Sequence, residues 1–200
     1  MPAEPVPGGP ITGSLLKPAF FERDAEVVAP DLLGKLLVRQ LPDGEIRWGR
    51  LVEVEAYLGE SDQASHSRRG RTKRTALMYG PPGHAYIYFV YGMHWCLNFV
   101  CREEGIPHAV LVRALEPGPG TGRASGPALV CRALAIDGSL NGAPLRPPDL
   151  YLLDDGAHPE PIVATPRIGV DYAGEWAARA LRFAVPSAHL SRKLPKTPQD

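Results

Sequence analysis

Two glutamates, Glu53 and Glu55, stand two residues apart inside the apolar run Leu51-Val52-Glu53-Val54-Glu55-Ala56-Tyr57. The period of a strand puts Leu51, Glu53, Glu55 and Tyr57 on one face and Val52, Val54 and Ala56 on the other. Carboxylates leave water reluctantly. Such a pair therefore lies on a solvated face, serves an ordinary ion pair, or includes a partly buried carboxylate tuned for general-base work. Arg113 is the one charge in Ala109-Val110-Leu111-Val112-Arg113-Ala114-Leu115 and needs a buried acid or a bound phosphate as partner. Tyr57, His66, Tyr86 and Tyr88 could converge to stack on a planar ligand and hydrogen-bond it, core packing being the other use of each ring. Tyr91-Gly92-Met93 sets large apolar side chains where a hairpin tip is normally polar, as in wedges that part stacked base pairs. Arg68-Arg69-Gly70-Arg71-Thr72-Lys73-Arg74 holds five cations and no acid, which suits a solvated loop or a phosphate-binding patch.

These groups need a scaffold. The run 46–57 reads as a strand, paired in an antiparallel hairpin with 35–39 across the turn Pro42-Asp43-Gly44-Glu45. Aromatic and β-branched residues over 84–100 predict a second hairpin turning near Tyr91-Gly92-Met93, after a polar loop over 59–83. A further strand covers 109–115. Helices are expected over 26–33, interrupted by Pro30, and over 127–136, where Ser125-Gly126-Pro127 can cap the start. From Asp137 the chain reads as loop until Arg167, followed by a short helix over 175–180 and a strand over 181–185. The fold class is α+β: a single mixed domain with a curved antiparallel sheet, a protruding β-hairpin and short surrounding helices. Residues 1–17 read as a poorly ordered N-terminal tail, 18–190 as the domain and 191–200 as a C-terminal tail.

Length and composition exclude several classes. Two hundred residues suit one core, and 44% hydrophobic with 22% charged residues is incompatible with wholesale disorder. With 22 Pro and 21 Gly, turns and short elements are favoured over a helical bundle. No run approaches the roughly 18 apolar residues that span a bilayer, and no signal-peptide pattern opens the chain. A cytosolic protein, or a nuclear one in a eukaryote, is expected, with no membrane partner. Three cysteines without a CxxC pair suggest neither a disulfide framework nor zinc. Net charge is zero, so any attraction for phosphate must be local.

Carboxylate, aromatic box, wedge and basic loop together suit an enzyme that flips bases out of DNA. Their sequence context resembles the alkyladenine (3-methyladenine) DNA glycosylases of the mammalian methylpurine type, which also occur in bacteria. The likeness spans residues 15–185. It is densest at Val52-Glu53-Val54-Glu55-Ala56-Tyr57-Leu58-Gly59, Ala64-Ser65-His66-Ser67-Arg68 and Tyr86-Ile87-Tyr88-Phe89-Val90-Tyr91-Gly92-Met93-His94. It continues through Leu111-Val112-Arg113-Ala114-Leu115-Glu116-Pro117, Arg167-Ile168-Gly169-Val170 and Ala173-Gly174-Glu175-Trp176. Two departures stand out: His94 replaces an aromatic of the mammalian hairpin, and the loop 71–75 is shorter.

The resemblance implies roles. Glu55 would activate water, with Arg113 beside that water and the nucleotide backbone, and the Ile168 carbonyl as a further water ligand. Tyr57, His66 and Tyr88 would sandwich the extruded base, and Asn98 would obstruct the amino group of normal guanine. Tyr91 would fill the gap in the duplex, while Arg71, Arg74, Met93 and Gly169 would touch the DNA backbone or groove. The implied partner is double-stranded DNA carrying damaged purines, bound by a monomer without cofactor or metal. No lysine matches a nucleophile, so water attack without strand cleavage is expected. A non-catalytic damage-binding protein of the same fold is the alternative, and it would not need Glu55. A zinc deaminase needs H-x-E together with P-C-x-x-C, a combination that does not occur. A sugar glycosidase needs opposed carboxylates, whereas Glu53 and Glu55 point the same way.

Overall fold

A computed structural model describes residues 11–195. Chain order is β1 (Ser14–Leu15), α1 (Pro18–Phe21), α2 (Ala25–Leu32), β2 (Leu36–Gln40), β3 (Ile46–Leu58), β4 (Ala85–Val90), β5 (His94–Cys101) and β6 (His108–Pro117). Then come α3 (Pro127–Ala133), β7 (Leu150–Asp154), β8 (Val163–Thr165) and β9 (Arg182–Ala184). All strand pairs are antiparallel in one sheet ordered β1-β7-β2-β3-β6-β5-β4, with β9 on β3 and β8 on β9. With three short α-helices and several 3-10 turns beside it among the described residues, this is the expected single mixed α+β domain.

The thirteen-residue β3 is the spine. Its first half pairs with β2 and its second half with β9 on that side, while β6 runs along the other. The β2–β3 turn forms as expected: Gly44 adopts φ 89°, and the Glu45 amide donates to Asp43 Oδ1 at 3.0 Å. Val52, Val54 and Ala56 of β3 join Val110, Val112 and Ala114 of β6 in the main core, covered by Phe21, Val28, Leu32 and Val130 of the helices. Glu53, Glu55, Tyr57 and Arg113 occupy the alternate positions and stay outside that cluster. The alternation fails at Leu51, expected beside Glu53 but packed in the core with Val52. The β3–β6 register shifts on both sides of Glu53, and such an irregularity flips the face that side chains reach.

Other departures have local causes. The helix expected over 26–33 runs Ala25–Leu32, and Pro30 is accommodated within it. Helix α3 is shorter than expected and starts at Pro127, but the residue before it, Gly126, offers no side-chain cap. The stretch after Asp137 contains β7 and β8 rather than loop alone. Toward its end, a 3-10 segment over Asp171–Ala177, broken at Gly174, replaces the expected helix. At the N-terminal side, residues 1–10 lie outside the described residues, as do 196–200. Residues 11–17, read as tail, are docked: Ile11 is buried, β1 pairs with β7, and the Leu16 amide donates to the Leu152 carbonyl at 2.9 Å.

Candidate active site

Glu55 is fully buried, yet every oxygen of its carboxylate is used. Oε2 accepts from the Tyr57 hydroxyl at 2.9 Å and from Arg113 Nη1 at 3.2 Å, and Oε1 from the Ile168 amide at 2.8 Å. Those three donors come from β3, from β6 and from the loop after β8, so the carboxylate fixes where three elements meet. Beside them opens a cavity of about 400 Å³, within the range of small-molecule sites. Tyr57, Arg113 and Ile168 line it, while Glu55 lies one hydrogen bond behind the wall. A carboxylate so placed is shielded from bulk water.

Aromatic rings line the same cavity. His66 and Tyr88 meet edge to face with centroids 4.4 Å apart, and His66 Nδ1 is 3.1 Å from the Tyr86 hydroxyl. Burial, reinforced by Arg74 and Arg68, lowers the His66 pKa to about 4, so the imidazole is neutral at pH 7. Burial likewise pushes the Tyr88 and Tyr57 phenols well up, and the Glu55 charge adds to the effect on Tyr57. Arg113 stays charged: burial opposes it, but Glu55 and Glu53 outweigh that and raise its pKa. The cavity therefore presents neutral π faces and phenolic donors, with one fixed cation. Asn98 also lines it, its Nδ2 donating to the Tyr86 carbonyl at 3.0 Å, which fixes the amide plane.

At the mouth stand Tyr91 of the β4–β5 hairpin and Gly169. The Met93 amide donates to the Val90 carbonyl at 3.1 Å, and both central residues of this turn have positive φ, 52° at Tyr91 and 65° at Gly92. Glycine adopts that conformation freely, whereas a bulky residue is strained in it, by about 1–3 kcal/mol. Tyr91 is nevertheless 90% exposed, and Met93 66%. Gly169 sits at φ 75°, which only glycine takes without strain. Arg71 and Arg74 are exposed, 5.7 Å and 5.5 Å from the Tyr79 and Tyr88 ring centroids, and neither meets a carboxylate among the described residues.

Thus Glu55, Tyr57, His66, Tyr88, Asn98, Arg113 and Ile168 converge on one cavity, with Tyr91 and Gly169 at its rim. Met93, Arg71 and Arg74 lie on exposed surface and are not part of its lining. Sequence reasoning missed the amide of Ile168, having singled out only its carbonyl. It also missed two buried ion pairs. Asp62 holds Arg167 through Nη1 at 2.5 Å and Nη2 at 2.8 Å, and Arg167 stacks 4.7 Å from the Tyr57 ring centroid. Arg182 donates to Glu53 at 2.7 Å. A lone charge in the apolar run Leu181-Arg182-Phe183-Ala184-Val185 is the same signal that marked Arg113; Asp62 has no such signal. Among the described residues, no group of three or more His, Cys, Asp or Glu could hold a metal ion, and no helix is long and apolar enough to cross a membrane.

Known proteins are similar in sequence to this chain. Residues 19–189 match the family model described as methylpurine-DNA glycosylase (MPG). A Legionella pneumophila (strain Paris) protein named "Putative 3-methyladenine DNA glycosylase" is 50% identical over 174 residues, covering 86% of this chain and 93% of the relative. Proteins of the same name from Methanocella arvoryzae and Myxococcus xanthus are each 48% identical, over 178 and 186 residues. These matches cover 82% and 90% of this chain, and 88% and 95% of those relatives. The chain belongs to the methylpurine-DNA glycosylase family and is, as a member, a DNA glycosylase.

Proposed function

We propose that this chain is a monofunctional glycosylase that swings an alkylated or deaminated purine out of duplex DNA and hydrolyses its N-glycosidic bond with water activated by Glu55. One observation carries the reading: a fully buried carboxylate stands directly behind a neutral aromatic cavity, held by three donors that line it. Water attacks C1′, the bond to the base breaks with its electron pair leaving on the base, and Glu55 takes the water's proton. The same charge stabilises the oxocarbenium character that develops on the sugar. A cationic purine such as 3-methyladenine or 7-methylguanine departs neutral and needs no acid. Neutral lesions such as hypoxanthine or ethenoadenine depend on hydrogen bonds from Tyr57, His66 and main-chain groups, Tyr57 donating only when its hydroxyl turns from Glu55.

Tyr57, His66 and Tyr88 hold the base, gaining about 0.5–2 kcal/mol from cation–π attraction when it is cationic. Asn98 obstructs the amino group of guanine, and Arg113 with the Ile168 carbonyl holds the water and the nucleotide backbone. The partner is duplex DNA with a damaged purine, engaged by a monomer wherever the genome lies. Incubation with duplexes carrying 7-methylguanine, hypoxanthine or ethenoadenine, followed by alkali, tests this. Breaks at the lesion support it; bound duplexes without abasic sites overturn it.

Two further outcomes follow from the rim. Tyr91→Asn puts a residue that tolerates positive φ into the strained turn, so stability is expected to rise by about 1 kcal/mol. Affinity for lesion duplex should nevertheless fall much more than affinity for single strands, in titrations of both. Parallel changes would remove Tyr91 as the wedge. Replacing Arg71 and Arg74 by Gln should flatten the slope of log K against log salt by about 1 per cation, or about 2 in all. An unchanged slope would put the phosphates elsewhere.

A further inference from the structure

We propose that Glu53 is a positioning residue: it aims Arg113 at the cavity and ties that aim to the segment carrying Ser191. The inference rests on Glu55 and Arg113 performing the chemistry.

Glu53 is fully buried and does not line the cavity, yet its carboxylate accepts four hydrogen bonds. Oε1 accepts from Arg113 Nε at 3.2 Å, from Arg182 Nε at 2.7 Å and from the Ser191 hydroxyl at 2.6 Å. Oε2 accepts from the Ser191 amide at 2.6 Å. Arg182 is anchored in turn, donating to Thr165 Oγ1 at 3.0 Å and to the Arg192 carbonyl at 2.6 Å. Two carboxylates and two guanidiniums thus form a buried group of zero net charge, as removal from water demands.

Neutralising Glu53 would need only Arg182, so the contact to Arg113 does something else. Arg113 donates from Nε to Glu53 and from Nη1 to Glu55, each at 3.2 Å. Two anchors on one rigid planar fork fix its orientation. Nη2 has no protein partner among the described residues, and Arg113 lines the cavity, so this donor is left for substrate or water. With Glu53 neutral, Nε would keep only its 3.3 Å bond to the Ser191 hydroxyl and a weaker, uncharged acceptor, so the fork would be held less firmly and Nη2 would lose its aim. Ser191, which holds both oxygens of Glu53 and itself lies 3.3 Å from Arg113 Nε, makes the segment after β9 part of that alignment.

The test is a double-mutant cycle on single-turnover base release from a 7-methylguanine duplex, at a temperature where every variant is folded. Glu53→Gln is expected to slow release about 10- to 100-fold, with duplex affinity within about threefold of the parent. In an Arg113→Met background the same substitution should cost less than about twofold more, because the group it aims is gone. Ser191→Ala removes a donor without removing a charge and carries the same cycle if Glu53→Gln does not fold. Equal losses with and without Arg113 would make Glu53 purely structural and overturn the inference. Arg113→Met releasing base at the parent rate would overturn instead the catalytic reading beneath it.

Discussion

Glu55→Gln is expected to slow release of 7-methylguanine from duplex DNA by about 10²–10⁴-fold, the usual share of a general base. Binding to the same duplex should be undiminished, since the substitution removes a negative charge from a DNA-binding protein and leaves its cationic surface intact. Shape is nearly conserved, but the amide has one acceptor where the carboxylate has two. If its oxygen faces Tyr57 and Arg113, its NH₂ meets the Ile168 amide, donor against donor. That conflict costs about 1–3 kcal/mol, so folding must be verified at the assay temperature. The decisive measurements are the single-turnover rate and the dissociation constant on one duplex. A rate within tenfold of the parent would show that the barrier does not depend on this carboxylate, whatever its position.

The choice between the two glutamates illustrates what the sequence contains. Period-two alternation on β3 puts both on the same face, as observed, and the aromatic pocket residues can be picked out by type. What separates Glu53 from Glu55 is supplied by distant chain. Glu53 meets Arg182 and Ser191, 129 and 138 residues away, while Glu55 meets the amide of Ile168, 113 residues away. A main-chain donor leaves no mark in residue types, so no pattern could have disclosed it. Strand β7 escaped for another reason. Leu150 and Leu152 pack in the main core and Tyr151 and Leu153 in a second cluster, so both faces are buried and alternation vanishes. The two-residue β1 is held by its backbone pairing to that strand and could not be seen without it.

The second large effect is on stability, and it falls on a residue without a sequence signal. Asp62→Ala is expected to destabilise the fold by about 3–5 kcal/mol, because it leaves the Arg167 guanidinium buried and unpaired. Both side chains of this pair are wholly inaccessible. Asp62 also accepts from the Leu58 amide at 3.1 Å and the Ala64 amide at 2.9 Å, so two backbone donors lose their partner too. At about 2–4 °C per kcal/mol for a chain of this size, the melting temperature should fall by roughly 6–20 °C. Asp31→Ala is the matched control: its ion pair with Arg23 has side chains 49% and 39% exposed, and such pairs contribute about 0–1 kcal/mol. The buried pair also joins the loop carrying His66 to the loop carrying Ile168, with Arg167 stacked on Tyr57 between them. Activity should therefore fall before the protein unfolds, as the cavity walls lose their spacing. Equal shifts for Asp62→Ala and Asp31→Ala in urea titration would mean that the buried pair contributes no more than a solvated one.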